Sequence, residues 1–286
     1  MKVLLTALVS SAATAAFFLK DKIFSGQGKK KRTKVIGVIP ARYASTRFPG
    51  KPLVPILGKP MIVRTYEQAK KAKQLDRVVV ATDDERIASV CREHGAEIVM
   101  TSVDCPNGTE RCNEAVSKLK ESYDIVVNIQ GDEPLIEPEI IDEVAETLKK
   151  SPDAVYSTPC TPLKHEEVEL RGRVKCITDQ HGYAIYFSRG VIPHNKKGEV
   201  KAFPAPFQDK PYNLHLGLQC YTRDFLKIYG GLPATPLMLM EDLEQLKVIE
   251  HGYKIKVIMV DHCAHGVDEP EDVPLIEAKI KELGLE

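Results

Sequence analysis

The amino-acid sequence predicts an α/β fold: a mainly parallel mixed sheet with helices on both faces. Beyond Lys34, short apolar runs alternate with amphipathic helical stretches, the order of elements expected of βαβ units. Three of those runs, Val35–Ile39, Arg77–Ala81 and Ile125–Ile129, are continuous and rich in β-branched residues, as strands covered on both faces require. Helix-start signals follow each of them. Pro60 opens a helix at its first turn, Asp83 or Asp84 caps a second that ends before Gly95, and Pro138 begins a third. In that third helix Ile140, Ile141, Val144, Ala145 and Leu148 share one face, so it packs on the sheet. From about 155 to 235 the pattern turns β-rich and loop-rich, with aromatics at Tyr183, Tyr186, Phe187, Tyr212 and Tyr221, before helical segments return near Glu241 and Pro270. This stretch is read as a substrate-binding insertion within one continuous unit, residues 35–286.

Composition excludes several classes. With 43% hydrophobic and 28% charged residues, and Lys+Arg 40 against Asp+Glu 40, the 286-residue chain has an ordinary globular profile and no basic surplus for general nucleic-acid binding. Seven cysteines, an odd number without a CxxC pair, read as reduced thiols rather than a disulfide framework.

Residues 1–34 depart from that average. Val3 to Leu19 holds 17 residues without a charge, followed by Lys20, Lys22 and the run Lys29, Lys30, Lys31, Arg32 and Lys34. Roughly 17 apolar residues is the lower limit for a membrane-spanning helix. The basic collar therefore predicts an uncleaved N-terminal anchor with the rest of the chain in the cytosol, at the mitochondrial outer membrane or the endoplasmic reticulum. A cleaved signal peptide, with Ala13-Thr14-Ala15 as its small-residue motif, is the competing reading.

Chemistry concentrates where strands end, since ligands of open α/β sheets bind at the carboxyl edge. The first strand runs into Pro40-Ala41-Arg42-Tyr43-Ala44-Ser45-Thr46-Arg47-Phe48-Pro49-Gly50-Lys51-Pro52. Arg42, Arg47 and Lys51 make this loop a candidate triphosphate cradle, because converging positive charge is what holds and activates a phosphoanhydride. It is not a Walker A loop, since Pro52 follows Gly50-Lys51, and no GxGxxG follows the strand. After the strand at Ile125–Ile129, Asp132 in Gln130-Gly131-Asp132-Glu133-Pro134 is a candidate ligand for Mg²⁺, a hard ion held by few carboxylates plus phosphate oxygens. Asp268, in Gly266-Val267-Asp268-Glu269-Pro270, reads either as a helix N-cap or as the partner of Asp132. His262-Cys263-Ala264-His265 lacks a second ligand pair at zinc-site spacing.

Taken in order, VIPARYASTRFPGKPL, GKPMIV, VVVATDDERIA, NGTER, VVNIQGDEPLI, VKCITDQHGYAIYFSRGVIP, HLGLQCY, EDLEQL and GVDEPEDV resemble the 3-deoxy-manno-octulosonate (Kdo) cytidylyltransferases, also called CMP-Kdo synthetases. The resemblance runs from Val35 to the C-terminus. It implies a Rossmann-like nucleotidyltransferase fold, a homodimer, and the Mg²⁺-dependent reaction of CTP with Kdo to give CMP-Kdo and pyrophosphate. Ala41, Arg42, Ser45, Arg47 and Lys51 would hold the CTP phosphates, Asp83, Asn107, Thr109 and Arg111 the nucleoside, and Gln130 the ribose. Asn107 departs from the serine that many relatives have at that place. Asp132 and Asp268 would bind the metal, and with Arg42 and Lys51 would form the catalytic set. Arg189, His215, Glu241 and Gln245 would contact the sugar acid, Arg189 through its carboxylate. Glu241 and Gln245 are spaced i, i+4, which places them on one face of a helix, with Leu239, Leu243 and Leu246 toward the core. A cytidylyltransferase for another sugar acid, such as N-acylneuraminate, would share the cradle and differ in the sugar pocket; a non-catalytic nucleotide-binding scaffold would have lost the cations or acids that are present here.

Overall fold

The computed structural model describes residues 32–44, 48–196, 212–262 and 266–285. Its elements are β1 (Val35–Ala41), a one-turn helix (Lys51–Leu53), β2 (Pro55–Ile56), β3 (Lys59–Pro60), α1 (Met61–Ala69), β4 (Arg77–Thr82), α2 (Glu85–Glu93), β5 (Ile98–Met100), α3 (Gly108–Lys118), β6 (Ile125–Ile129), α4 (Pro138–Lys150), β7 (Tyr156–Leu163), a second single turn (His165–Glu167), β8 (Lys175–Thr178), β9 (Ala184–Ser188), β10 (Tyr212–His215), β11 (Leu218–Thr222), α5 (Arg223–Tyr229), α6 (Pro236–Glu241), α7 (Glu244–Glu250), β12 (Ile255–Met259) and α8 (Asp272–Glu282). The chain separates into a unit ending at Thr33 and a unit from Lys34 onward.

Ten strands form one mixed sheet in the order β5-β4-β1-β6-β11-β7-β10-β8-β9, with β12 paired to β7. The β5-β4-β1-β6 side is parallel, with Ile36 opposite Arg77 and Val126. From β6 through β11, β7, β10 and β8 to β9 the pairing is antiparallel. The segment read as an insertion thus extends the same sheet.

Side-chain alternation divides the core into two layers. Val35, Ile39, Val78, Val80, Ile125 and Val127 face one layer, which Ile62, Val63, Ile140, Val144 and Leu148 from α1 and α4 complete. Ile36, Val38, Val79, Ala81 and Val126 face the other, against Cys112, Ala115, Phe225 and Leu246 from α3, α5 and α7. Helices on both faces and fully buried strands agree with the reading of the apolar runs. The caps agree as well: Asp84 accepts the Arg86 N–H at the start of α2, and Pro138 occupies the first turn of α4.

The helix expected across Glu241 to Gln245 is interrupted. α6 ends at Glu241, Asp242 adopts the left-handed region at φ 52 and ψ 52, and α7 restarts at Glu244. The i, i+4 relation therefore fails, Leu239 is 68% exposed, and Leu243 and Leu246 remain buried. Asp268 is not an N-cap either. α8 starts at Asp272, whose own carboxylate accepts the Asp268 and Glu269 N–H groups at 2.7 and 2.9 Å. Among the described residues no helix is long and apolar enough to cross a membrane, and the anchor expected over residues 3–19 lies outside them.

Candidate active site

Three loops meet at the carboxyl edge of the parallel strands. The first leaves β1 with Arg42 and returns through Gly50 to Lys51; Ser45 and Arg47 lie outside the described residues. The second follows β6 with Gln130, Gly131 and Asp132, and the third is Gly266 to Asp268. The Lys51 ammonium joins all three. Its Nζ donates to Asp132 Oδ2 at 2.6 Å and to the Val267 carbonyl at 2.8 Å, and lies 3.6 Å from Asp268 Oδ1. Val267 N–H in turn donates to the Asp132 carbonyl at 2.9 Å. The approach is tight: a Cβ on Gly266 would lie 3.0 Å from the Asp132 carbonyl oxygen, so one of the two loops would have to give by a few tenths of an ångström.

The loops open onto a cleft of about 420 Å³. Ala41, Arg42, Lys51, Asn107, Arg111, Gln130, Asp132 and Asp268 line it, so eight residues expected from sequence come together. Asp83 stands behind them, accepting from Arg111 Nη2 at 3.1 Å while Arg111 Nη1 donates to Thr101 at 2.6 Å. Asn107 caps α3, its side chain accepting the Glu110 N–H at 2.8 Å. Thr109 does not reach the cleft. It is fully buried, and its hydroxyl donates to Glu244 Oε2 at 2.5 Å and meets Tyr221 OH at 3.1 Å.

Several lining groups escaped the sequence reading. Gly108, at the α3 N-terminus, lies beside Pro40 and Asn128, and the interruption at Asp242 turns both Asp242 and Glu244 toward the cleft. Burial raises the Glu244 carboxyl above the usual carboxylate range. Glu133, the neighbour of Asp132, is pushed up to about 8 by desolvation, with Asp132 and Asp268 adding to the shift. The Cys105 thiol donates to Glu114 at 2.9 Å and is pushed up to about 11, mainly by burial, which makes it a neutral wall.

The residues expected on the sugar side form two groups. Glu241 accepts Ser188 Oγ at 2.6 Å and Arg189 N–H at 2.9 Å, and Arg189 returns Nε to the Glu241 carbonyl at 2.8 Å and Nη2 to the Asp242 carbonyl at 3.2 Å. Its guanidinium thereby satisfies carbonyls at the end of α6. His215 stands edge-on to Phe187 at 5.0 Å, with Nε2 2.9 Å from Thr158 Oγ1. That hydroxyl donates to the Leu218 carbonyl at 2.7 Å, so Nε2 carries the proton. Burial lowers the His215 pKa to about 4. Gln245 is buried, away from the cleft lining.

The cytidylyltransferase family model matches residues 36–255. The 3-deoxy-manno-octulosonate cytidylyltransferase of Zea mays is 62% identical over 87% of this chain and 82% of its own length. The mitochondrial 3-deoxy-manno-octulosonate cytidylyltransferase of Arabidopsis thaliana is 59% identical over 97% of this chain and 93% of its own. The chain belongs to the 3-deoxy-manno-octulosonate cytidylyltransferase family. Membership makes it a nucleotidyltransferase, and a solved member, the CMP:2-keto-3-deoxy-manno-octonic acid synthetase complexed with CTP, superposes with TM-score 0.80 at 34% identity, over 88% of this chain and all of that one.

One expectation is overturned. The chain was expected to be anchored in a membrane, mitochondrial outer or endoplasmic reticulum, with its catalytic part facing the cytosol. The Arabidopsis thaliana relative, which aligns over 97% of this chain, is named mitochondrial, which points away from an endoplasmic-reticulum or cytosol-facing placement. The physical reason lies in the run itself: at the lower length limit and diluted by Ala, Ser and Thr, its apolar length does not separate a membrane span from a targeting segment.

Proposed function

We propose that the protein transfers the cytidylyl group of CTP to Kdo, releasing pyrophosphate. The observation that carries this reading is the convergence of Lys51, Asp132 and Asp268 on one point of a cleft that Arg42 and Arg111 also line. The anomeric hydroxyl oxygen of Kdo attacks the α-phosphorus, a new P–O bond forms, the bond to the β-phosphate bridging oxygen breaks, and the hydroxyl proton leaves to solvent. No covalent enzyme intermediate is needed, so positioning and electrostatics supply the barrier reduction.

Asp132 and Asp268 fit the Mg²⁺ expected from sequence. Both present hard oxygen donors to a position that a cation, the Lys51 ammonium, already marks. Among the described residues no cluster of three or more His, Cys, Asp or Glu forms a complete cage, and Mg²⁺ characteristically takes one or two carboxylates and completes its shell with phosphate oxygens and water. When bound there, the ion would neutralise charge on the phosphate oxygens. The chain's own part is to bind the triphosphate with Arg42, Arg47 and Lys51, assisted by Ser45, to set the nucleoside with Asn107, Arg111 and Gln130, and to hold the sugar acid with Arg189, His215 and Glu241, whereas the burial of Gln245 takes it out of that role.

We read the assembly as a homodimer. Leu239 and Met240 on α6, 68% and 84% exposed, and Ile185 on the edge strand β9, 53% exposed, supply apolar surface for it. Analytical ultracentrifugation should give twice the chain mass.

The decisive experiment measures pyrophosphate release from CTP with Kdo or N-acylneuraminate, with Mg²⁺ or excess chelator. Release with Kdo and Mg²⁺ alone is expected. Turnover with N-acylneuraminate but not Kdo would replace the sugar, and turnover unaffected by chelator would remove the metal.

A further inference from the structure

The first loop is closed at its stem by a contact outside the residues assigned to substrate. Gly50 N–H donates to the Tyr43 carbonyl at 3.0 Å, so residues 43 and 50 are clamped together. Gly50 sits at φ 72, and a Cβ there would lie 3.1 Å from Cζ and OH of Tyr43, so the tyrosine ring occupies the space a side chain would need. The Arg86 guanidinium carbon lies 3.3 Å from the centroid of that ring, a close cation–π contact. Arg86 is itself held by Asp84, through Nε at 3.0 Å and Nη2 at 2.6 Å, and Asp84 caps α2 by accepting the Arg86 N–H at 2.9 Å. The ring is therefore tied to the first turn of α2. Arg42 immediately precedes Tyr43 and Lys51 immediately follows Gly50, so the two cleft cations of this loop are the residues flanking the clamp.

We propose that Tyr43 and Arg86 are positioning residues that set the separation of Arg42 and Lys51, and through it the affinity for the triphosphate. The inference rests on the CTP reading. Neither side chain is required to touch the nucleotide; the ring fixes the stem and the guanidinium fixes the ring. The contact is separate from the rim around Arg189 and Glu241, so its loss should act on one substrate alone.

The test uses the full chain with Mg²⁺ and compares Tyr43→Leu, Arg86→Met and Tyr43→Phe by calorimetric titration with CTP and by steady-state kinetics. Tyr43→Leu and Arg86→Met should each weaken CTP binding about fivefold, the order expected for loss of an exposed cation–π contact. They should raise KM for CTP likewise and leave KM for Kdo within about twofold. Tyr43→Phe keeps the ring and should bind CTP like wild type, and the Tyr43→Leu/Arg86→Met pair should be no weaker than its worse member. Arg86 has a 60% exposed side chain, so its replacement leaves the core intact and the melting temperature near that of wild type. Wild-type CTP affinity in both Tyr43→Leu and Arg86→Met overturns the proposal, as does equal impairment of Tyr43→Phe or a parallel rise in both KM values. Failure of the wild-type protein itself to bind CTP would instead remove the CTP reading, and the inference with it.

Discussion

Lys51 satisfies two carboxylates and a main-chain carbonyl with one ammonium, and the chemistry of the cleft depends on that economy. It donates to Asp132 and to the Val267 carbonyl and pairs electrostatically with Asp268 at 3.6 Å, groups that reach the cleft from loops 81 and 216 positions away along the chain. Replacing Lys51 with Met leaves two acids facing each other without their cation. We expect kcat to fall on the order of 10²–10³-fold, the range for removing one preorganised charge-stabilising group, measured as pyrophosphate release. Asp132→Asn should keep the circular dichroism spectrum of the fold and abolish Mg²⁺-dependent release; turnover like wild type would take Asp132 out of the metal site. At this scale the sequence was informative wherever charge was concentrated, as in Arg42, Lys51 and Asp132. It was silent about Glu133 and Glu244, because whether a carboxylate is solvated depends on which distant segments cover it, here including the glycines at 217 and 266 that lie against Glu133.

Elements were legible in proportion to how local their causes are. The strands at Val35, Arg77 and Ile125 follow from β-branched runs, and the starts of α2 and α4 from Asp84 and Pro138. The break between α6 and α7 has no such signal. Helical periodicity continues through Leu239, Leu243 and Leu246, and the interruption becomes apparent only when Arg189, 53 positions earlier than Asp242, donates to the last carbonyls of α6. Asp is tolerated in the left-handed region better than branched residues. Asp242→Val should therefore destabilise the protein by about 1–2 kcal/mol in urea unfolding, whereas Asp242→Gly should be neutral or slightly stabilising. Gly266→Ala forces a methyl to 3.0 Å from the Asp132 carbonyl and should separate the third loop from the second. The expected result is a loss of about 1–3 kcal/mol with activity falling in parallel.

For the whole molecule, the pH dependence of stability should carry the mark of His215. Its pKa is about 4 in the folded protein, against about 6.5 in the unfolded chain, so the unfolded chain binds the extra proton first. The stability it contributes is fully present above about pH 6.5 and is lost as pH falls toward 4, at up to about 1.4 kcal/mol per pH unit. Denaturation curves of wild type and His215→Asn should thus differ most at pH 7 and converge on acidification. A difference that widens toward pH 4.5 would show that the imidazole is protonated in the folded state.

The sheet changes from parallel to antiparallel pairing at β6 and β11, where Ile125 faces Thr222 and Asn128 Nδ2 donates to Gln219 at 2.7 Å. On the parallel side lie the cleft-lining loops after β1 and β6; on the other lie Arg189 and His215. A seam of this kind lets the acceptor preference diverge in evolution while the nucleotide chemistry is inherited unchanged. Chimaeras that exchange strands β7 to β10 between relatives with different sugar acids would then inherit selectivity from the donor and CTP dependence from the host.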